Sequence, residues 1–352
     1  MKHFSRATLA ILAAAMPGVG LQAHHSFFGR FDTSTTIELE GLVTRVVWRN
    51  PHAHFFIEVE QDGETIEWDL ESGSPTLMTR AGVPPDAVQV GQRIRVAANP
   101  PVTEKREAFA TNVLLPSGEE LVLQTGATPR FRDRVIGDFS YRFRTQGDPS
   151  RPELGLFRIW TFSGAAGPTA FLFPESIDRS FDLNTYPLTP AAQAAIAAFN
   201  AATDNPTNNC TPKGMPTIME QPLPMQIVDA GDTIELIIEE YDLQRTIHMD
   251  QSRAPEGTPR TPLGYSTGEW DGETLVARTT HVSWPYFDQA GIPQSEQSVL
   301  TERFTAVRQG SELEYVLVVD DPVNFTEPVT LTKTLLYVPD VELIPFDCTN
   351  IE

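Results

Sequence analysis

Four of the seven histidines in this 352-residue chain fall in two close pairs, His24-His25 and His52-x-His54. Imidazole nitrogen suits copper and zinc, and copper(II) ranks highest among the divalent first-row metals at a given site. His52 and His54 are two residues apart, so on an extended strand both side chains face the same way. If processing made His24 the first residue, its α-amino group (pKa about 8) and its imidazole could chelate one ion together. His24, His25, His52 and His54 are therefore the candidate metal ligands, in a histidine-brace-like arrangement, with copper favoured and zinc second. The plain alternative is a frayed terminus, with His52 hydrogen-bonded at a strand turn.

A second set lies in the last third of the chain. In the run RTIHMD, His248 and Asp250 alternate onto one face, away from Arg245 and Ile247. In LVARTTHVSW, His281 shares a face with Leu275, Ala277 and Thr279 if the strand runs through it. With Glu302, these residues offer a general acid or base: His248, Asp250, His281 and Glu302 are the candidate catalytic groups. Arg245, Glu269, Trp270 and Arg303 are the candidate ligand contacts. The plain alternative is structural: a lone strand histidine, an aspartate at the Asp271-Gly272 turn, and Glu302 and Arg303 on opposite faces of one strand.

Several chemistries have no signature here. There is no HExxH, no phosphate-binding glycine loop and no dinucleotide fingerprint. Lys and Arg number 26 against 47 Asp and Glu, a formal charge of −21, which disfavours nucleic acid and anionic membranes as partners.

The first 23 residues, MKHFSRATLAILAAAMPGVGLQA, combine Lys2 and Arg6, a short apolar run and a small-residue end. That pattern predicts a signal peptide, cut after Ala23, and a periplasmic or secreted protein with no stable membrane insertion. Cys210 and Cys348 are the only two cysteines. In an exported chain a disulfide is the simplest use for them, and neither sits in a zinc-like cluster.

The elements that must position these residues read as all-β. TIELEGLVTRVVW is a long alternating strand, with Gly41 as a bulge or bend. AHFFIEVE, TIEWDLE, GQRIRVAA, AFATNVLL and EELVLQ follow, with turns at Asp62-Gly63 and Ser117-Gly118 and one short helix in SPTLMTRAG. A bent first strand, about five strands in all and one interposed helix predict a small OB-like barrel. Residues 127–152 read as a basic linker carrying a short strand, Asp138 to Arg144. Beyond it, TPAAQAAIAAFNAATDNP predicts one helix, capped by Thr189 and stopped at Asp204-Asn205-Pro206. Six strand candidates then form a meander that predicts an antiparallel barrel.

HHSF…FD, GxVxxVxWxNPH, WxLExGSP and LPSGEEL resemble an uncharacterised domain of exported bacterial proteins over residues 24–126. His24, His25, Trp48, Asn50, Pro51 and His52 match its pattern; His54 stands where that family commonly has an aromatic residue. CTPKGMP, RTIHMD, PLGYSTGEWDGETLVARTTHV, QSEQSVLTERF and DDPVNFTEP resemble a second uncharacterised exported family, described as lipocalin-like, over residues 153–352. Here Leu154-Gly155 is separated from Trp160, and Asp250 is followed by Gln251-Ser252-Arg253, both departures from that pattern. The resemblances imply no activity. The expectation is an exported two-domain protein that binds a small molecule. The alternatives are a copper protein and a lyase, isomerase or hydrolase acting in the second barrel; protein partners are not indicated.

Overall fold

The computed structural model describes residues 30–102, 105–124, 126–138, 150–162, 186–221, 223–288, 290–337, 339 and 341–348. The candidate leader, His24 and His25 lie outside the described residues, as do residues 139–144 of the expected linker strand.

Alternation builds the first half. β1 (Ile37–Val47), β2 (His54–Gln61), β3 (Glu64–Glu71), β4 (Arg93–Asn99) and β5 (Glu107–Leu114) pair in the ring β1-β2-β3-β5-β4-β1, closed by a short parallel β3–β5 contact. The helix α1 (Pro75–Arg80) sits between β3 and β4. This is the five-stranded barrel that the pattern predicts. Its interior is apolar, with Val43, Phe55, Ile57, Trp68, Leu70, Ile94 and Val113 all buried. The register of β1 slips between Val43 and Arg45, so the irregularity falls at Thr44 rather than at Gly41. Gly41 serves a close approach instead: a Cβ there would lie 2.5 Å from the Glu58 carbonyl oxygen.

Two more strands extend this sheet, β6 (Glu120–Val122) and β7 (Val135–Ile136). A short strand of the expected linker lies at Val135–Ile136, and Asp138 belongs to no strand; the rest of the expected one, 139–144, falls outside the described residues. The basic stretch before it docks on the first barrel. The backbone N–H groups of Arg130, Phe131 and Arg132 each donate to the buried Glu120 carboxylate at 2.7 Å.

The second half closes into a nine-stranded barrel: β8 (Ile159–Phe162), β9 (Met225–Asp229), β10 (Thr233–Ile238), β11 (Leu243–His248), β12 (Tyr265–Asp271), β13 (Thr274–Thr280), β14 (Val299–Val307), β15 (Glu312–Asp320) and β16 (Val329–Tyr337). Its order is β10 through β16, then β8 and β9 back to β10. The expected meander is interrupted once. β11 and β12 pair in parallel, over only Ile247↔Ser266 and His248↔Thr267, because a long crossover joins them. β12 therefore runs on past the end of β11.

The expected helix is shorter than its sequence pattern. α2 (Pro190–Ala198) starts at Thr189, whose hydroxyl accepts from the Ala192 N–H. It ends at Phe199, which is extended, and a separate turn follows at Ala201–Asp204. Tertiary packing overrides propensity here: the Phe199 ring packs edge-on against Tyr286 and lies where a Cβ on Gly291 would sit.

Residues 341–348 run between the two barrels. Asn50 N–H donates to the Asp347 carbonyl (2.8 Å), and Arg80 donates to the Glu342 carbonyl and pairs with the buried Glu239. On the other side, Ile344 N–H donates to Glu239 (3.0 Å), and Phe346 N–H donates to the Asp242 carboxylate (3.1 Å). A disulfide joins Cys348 to Cys210, 138 residues away in sequence.

Candidate functional site

The β2–β3 hairpin places the first set. The Asp62-Gly63 turn sets the register His54↔Glu71 and Phe56↔Asp69, so two histidines and two carboxylates share one outer face. His52 lies just before β2, and its Nδ1 bonds the Glu71 carboxylate; His54 Nδ1 bonds Asp69 Oδ1 at 2.7 Å. Arg30 reaches the same group, donating to Glu71 (2.9 Å) and to Glu107 (2.7 Å). Burial opposes the charge on Glu71, but the His52 ring and the Arg30 guanidinium outweigh it and hold the carboxyl down to about 2. No described residue bonds the Nε2 atom of either histidine. A carboxylate on one ring nitrogen fixes the tautomer and orientation of a metal-ligating imidazole. Among the described residues, no group of three or more His, Cys, Asp or Glu is arranged to hold a metal ion.

Asn50 explains why the Asn-Pro-His and Gly-Ser-Pro runs belong together. Its buried side chain donates to Thr76 Oγ1 (2.9 Å) and accepts from Ser74 Oγ (2.7 Å), tying the approach to β2 onto the start of α1.

The second set divides. Arg245 and Glu302 point into the nine-stranded barrel and meet there, both almost fully buried. Arg245 donates to both Glu302 oxygens, to Ser266 Oγ (3.0 Å) and to Thr279 Oγ1 (2.8 Å); Tyr315 Oη donates to Glu302 (2.8 Å). Leu275, Ala277, Phe304 and Leu317 pack tightly in the same core. His248 instead faces outward and stacks on Tyr265 with ring centroids 4.5 Å apart. Asp250 is exposed. His281 does not continue the face of Leu275 and Thr279. β13 ends at Thr280, and His281 takes a left-handed φ of 59°, its Nδ1 bonded to Thr280 Oγ1 (2.9 Å). Arg303 pairs with Asp271 at the surface (2.7 Å). The four candidate catalytic groups are thus split between the interior and the outside of the wall.

Glu269 and Trp270 sit on the overshooting end of β12. Together with Phe157, Asp229, Gly231, Ile234 and Met249 they line a cleft of about 350 Å³ at one mouth of the barrel. Trp270 is 47% exposed, with Phe157 edge-on to it at 6.2 Å. Gly268 lets the floor close up: a Cβ there would lie 2.6 Å from Met249 Sδ.

One more buried acid stands apart. Asp288, between β13 and β14, accepts from the Ala290 (3.0 Å) and Ile292 (3.2 Å) N–H groups. Burial pushes its carboxyl up to about 7 against those bonds.

Sequence reasoning missed the carboxylates behind His52 and His54, although counting outward from Asp62-Gly63 pairs His54 with Glu71. It also missed Phe157, Asp229 and Met249 at the cleft, for which no local signal exists.

Fold and sites define a two-barrel, all-β protein with a polar histidine–carboxylate face on one barrel and a mouth cleft on the other. Residues 11–110 match the model of a family of unknown function (DUF6152), so this part of the chain is similar to an uncharacterised family. No curated protein and no solved structure matches the chain. No helix among the described residues is long and apolar enough to cross a membrane.

Proposed function

We propose that this is an exported binding protein that holds a small molecule in the cleft at the mouth of the nine-stranded barrel. The observation that carries the reading is Trp270, a large aromatic side chain left half-exposed on a concave wall beside Phe157 and Met249. Ligand pockets combine such apolar walls with a few polar groups, here Asp229 and Glu269. The barrel interior offers less, because Arg245, Glu302 and their partners are already satisfied by one another. The leader-like first 23 residues and the Cys210–Cys348 disulfide support export to the periplasm or beyond. A thermal-shift screen of small metabolites on the full chain tests the reading, since a ligand that binds only the native state raises its stability. Hits are expected to lose their effect in Trp270→Ala. Hits that shift both proteins equally would place binding elsewhere.

A second reading is favoured by the histidine pair. His52 and His54 each have Nδ1 held by a carboxylate, and no described residue bonds either Nε2. Copper(II), with zinc second, would take these nitrogens together with His24 and His25 of the processed chain. Arg30 supports this, because it anchors the chain on Glu71 only six residues after His24. Copper(II) titration of processed protein, followed by electron paramagnetic resonance, should give a nitrogen-coordinated signal that His52→Ala abolishes. An unchanged signal in that variant, or in protein with a blocked N-terminus, sinks the reading.

A further inference from the structure

The walls of the mouth cleft differ in what they leave unmatched. Phe157, Ile234, Met249 and the face of Trp270 give it an apolar and aromatic lining. Asp229 adds a carboxylate from the inward face of β9 and Glu269 adds one at the rim, on the outer face of β12, and neither forms an ion pair with any described residue. Asp229 takes one N–H, from Gly231 at 2.9 Å, on Oδ1 alone. The sheet does pair its acids nearby: Asp271, one residue beyond Trp270, holds Arg303 at 2.7 Å. The neighbouring Arg158 is turned away from the cleft, buried, and donates to the Gly310 carbonyl at 2.8 Å.

We propose that the occupant of this cleft is a small organic cation, a primary or quaternary amine carrying an apolar body. The proposal rests on the reading of the cleft as a binding site. An ammonium group over the indole face gains from the ring quadrupole, and countercharge comes from Asp229 inside the cleft and from Glu269 at its rim. A soft thioether at Met249 and the Ile234 side chain receive the apolar remainder. An organic anion would face two like charges. A neutral hydrophobe would bury carboxylates without giving them a partner. A bare metal ion would find only two carboxylates and would make no use of the aromatic wall. The chain's −21 formal charge raises the local concentration of cations and speeds their arrival.

Isothermal titration of the full disulfide-bonded chain with matched probes tests this: phenethylamine and benzyltrimethylammonium, neutral phenethyl alcohol, and anionic phenylacetate. The two cations should bind, the alcohol about tenfold more weakly, and phenylacetate weakest of all. Trp270→Ala should abolish cation binding. Asp229→Asn with Glu269→Gln should bring the amine down to the affinity of the alcohol while leaving the alcohol unchanged. The alcohol matching the amine overturns the charge preference and leaves the cleft standing as a binding site. No binding by any of the four overturns the cleft reading and this proposal with it. Circular dichroism on both variants confirms that lost binding is not lost folding.

Discussion

The two barrels handle charge in opposite ways. The first keeps an apolar interior and sets Glu71, Asp69, His52, His54 and Arg30 on its outer face, where Arg30 and His52 are each about a third exposed. The second puts an arginine and a glutamate at its centre and closes them off with Ser266, Thr279 and Tyr315. An ion pair sealed in this way ties β11 to β14 across the core, and a solute cannot reach it. A histidine on the outer wall, with one ring nitrogen held and no described partner on the other, can still take a ligand there. Chemistry is therefore to be sought on the outside of the first barrel and at the mouth of the second.

The largest effect should come from opening the sealed pair. Glu302→Leu leaves Arg245 buried and uncompensated and should cost about 3–5 kcal/mol in urea denaturation, while Arg245→Met together with Glu302→Leu should recover most of it. A single-variant cost below about 1 kcal/mol would mean that water already reaches the pair.

The two buried acids sharpen the contrast, because their shifts have opposite signs. The Asp288 carboxyl is raised in the fold, to about 7, by burial that outweighs the backbone N–H bonds it accepts. The neutral form is favoured, so its contribution is intact below the ordinary aspartate range and is lost as pH climbs from about 4 through 7. Asp288→Asn should match the native protein near pH 4 and exceed it by roughly 2–4 kcal/mol at pH 8. The Glu71 carboxyl is lowered, to about 2, by His52 and Arg30 against the cost of burial. Its contribution is present above the ordinary glutamate value and fades as pH falls from about 4.5 towards 2. Discounted for the exposure of its partners, it amounts to about 2 kcal/mol, which Glu71→Gln should remove at neutral pH. Melting curves taken from pH 3 to pH 8 on both variants would separate the acid limb from the alkaline one; coincident curves would refute the distinction.

Much of the fold was legible because period-two alternation is strong where one face of a strand is buried. IELEGLVTRVV and ELEYVLVVD each read as a strand, and the Asp62-Gly63 and Asp271-Gly272 turns set two registers. IWTF and MQIVD did not stand out, being too short to show a period, yet β8 and β9 are what close the second barrel. The parallel β11–β12 contact was equally hidden, and with it the overshoot that makes the cleft. Glu302 left a trace: it occupies the inward stripe between Leu300 and Phe304, as Arg245 does beside Ile247. Two opposite charges at core positions of different strands announce each other, though 57 residues separate them. His281 misled because alternation was extended one residue beyond the strand that carries it.

The strap at residues 341–348 comes after β16, so neither barrel draws a strand from it. A polypeptide halted just beyond Tyr337 would possess every rung of both cylinders and still lack their yoke. Both halves would keep their hydrogen-bonded strands while losing the attachments at Asn50, Asp242 and Cys210, and a conventional reading of secondary structure would notice nothing amiss.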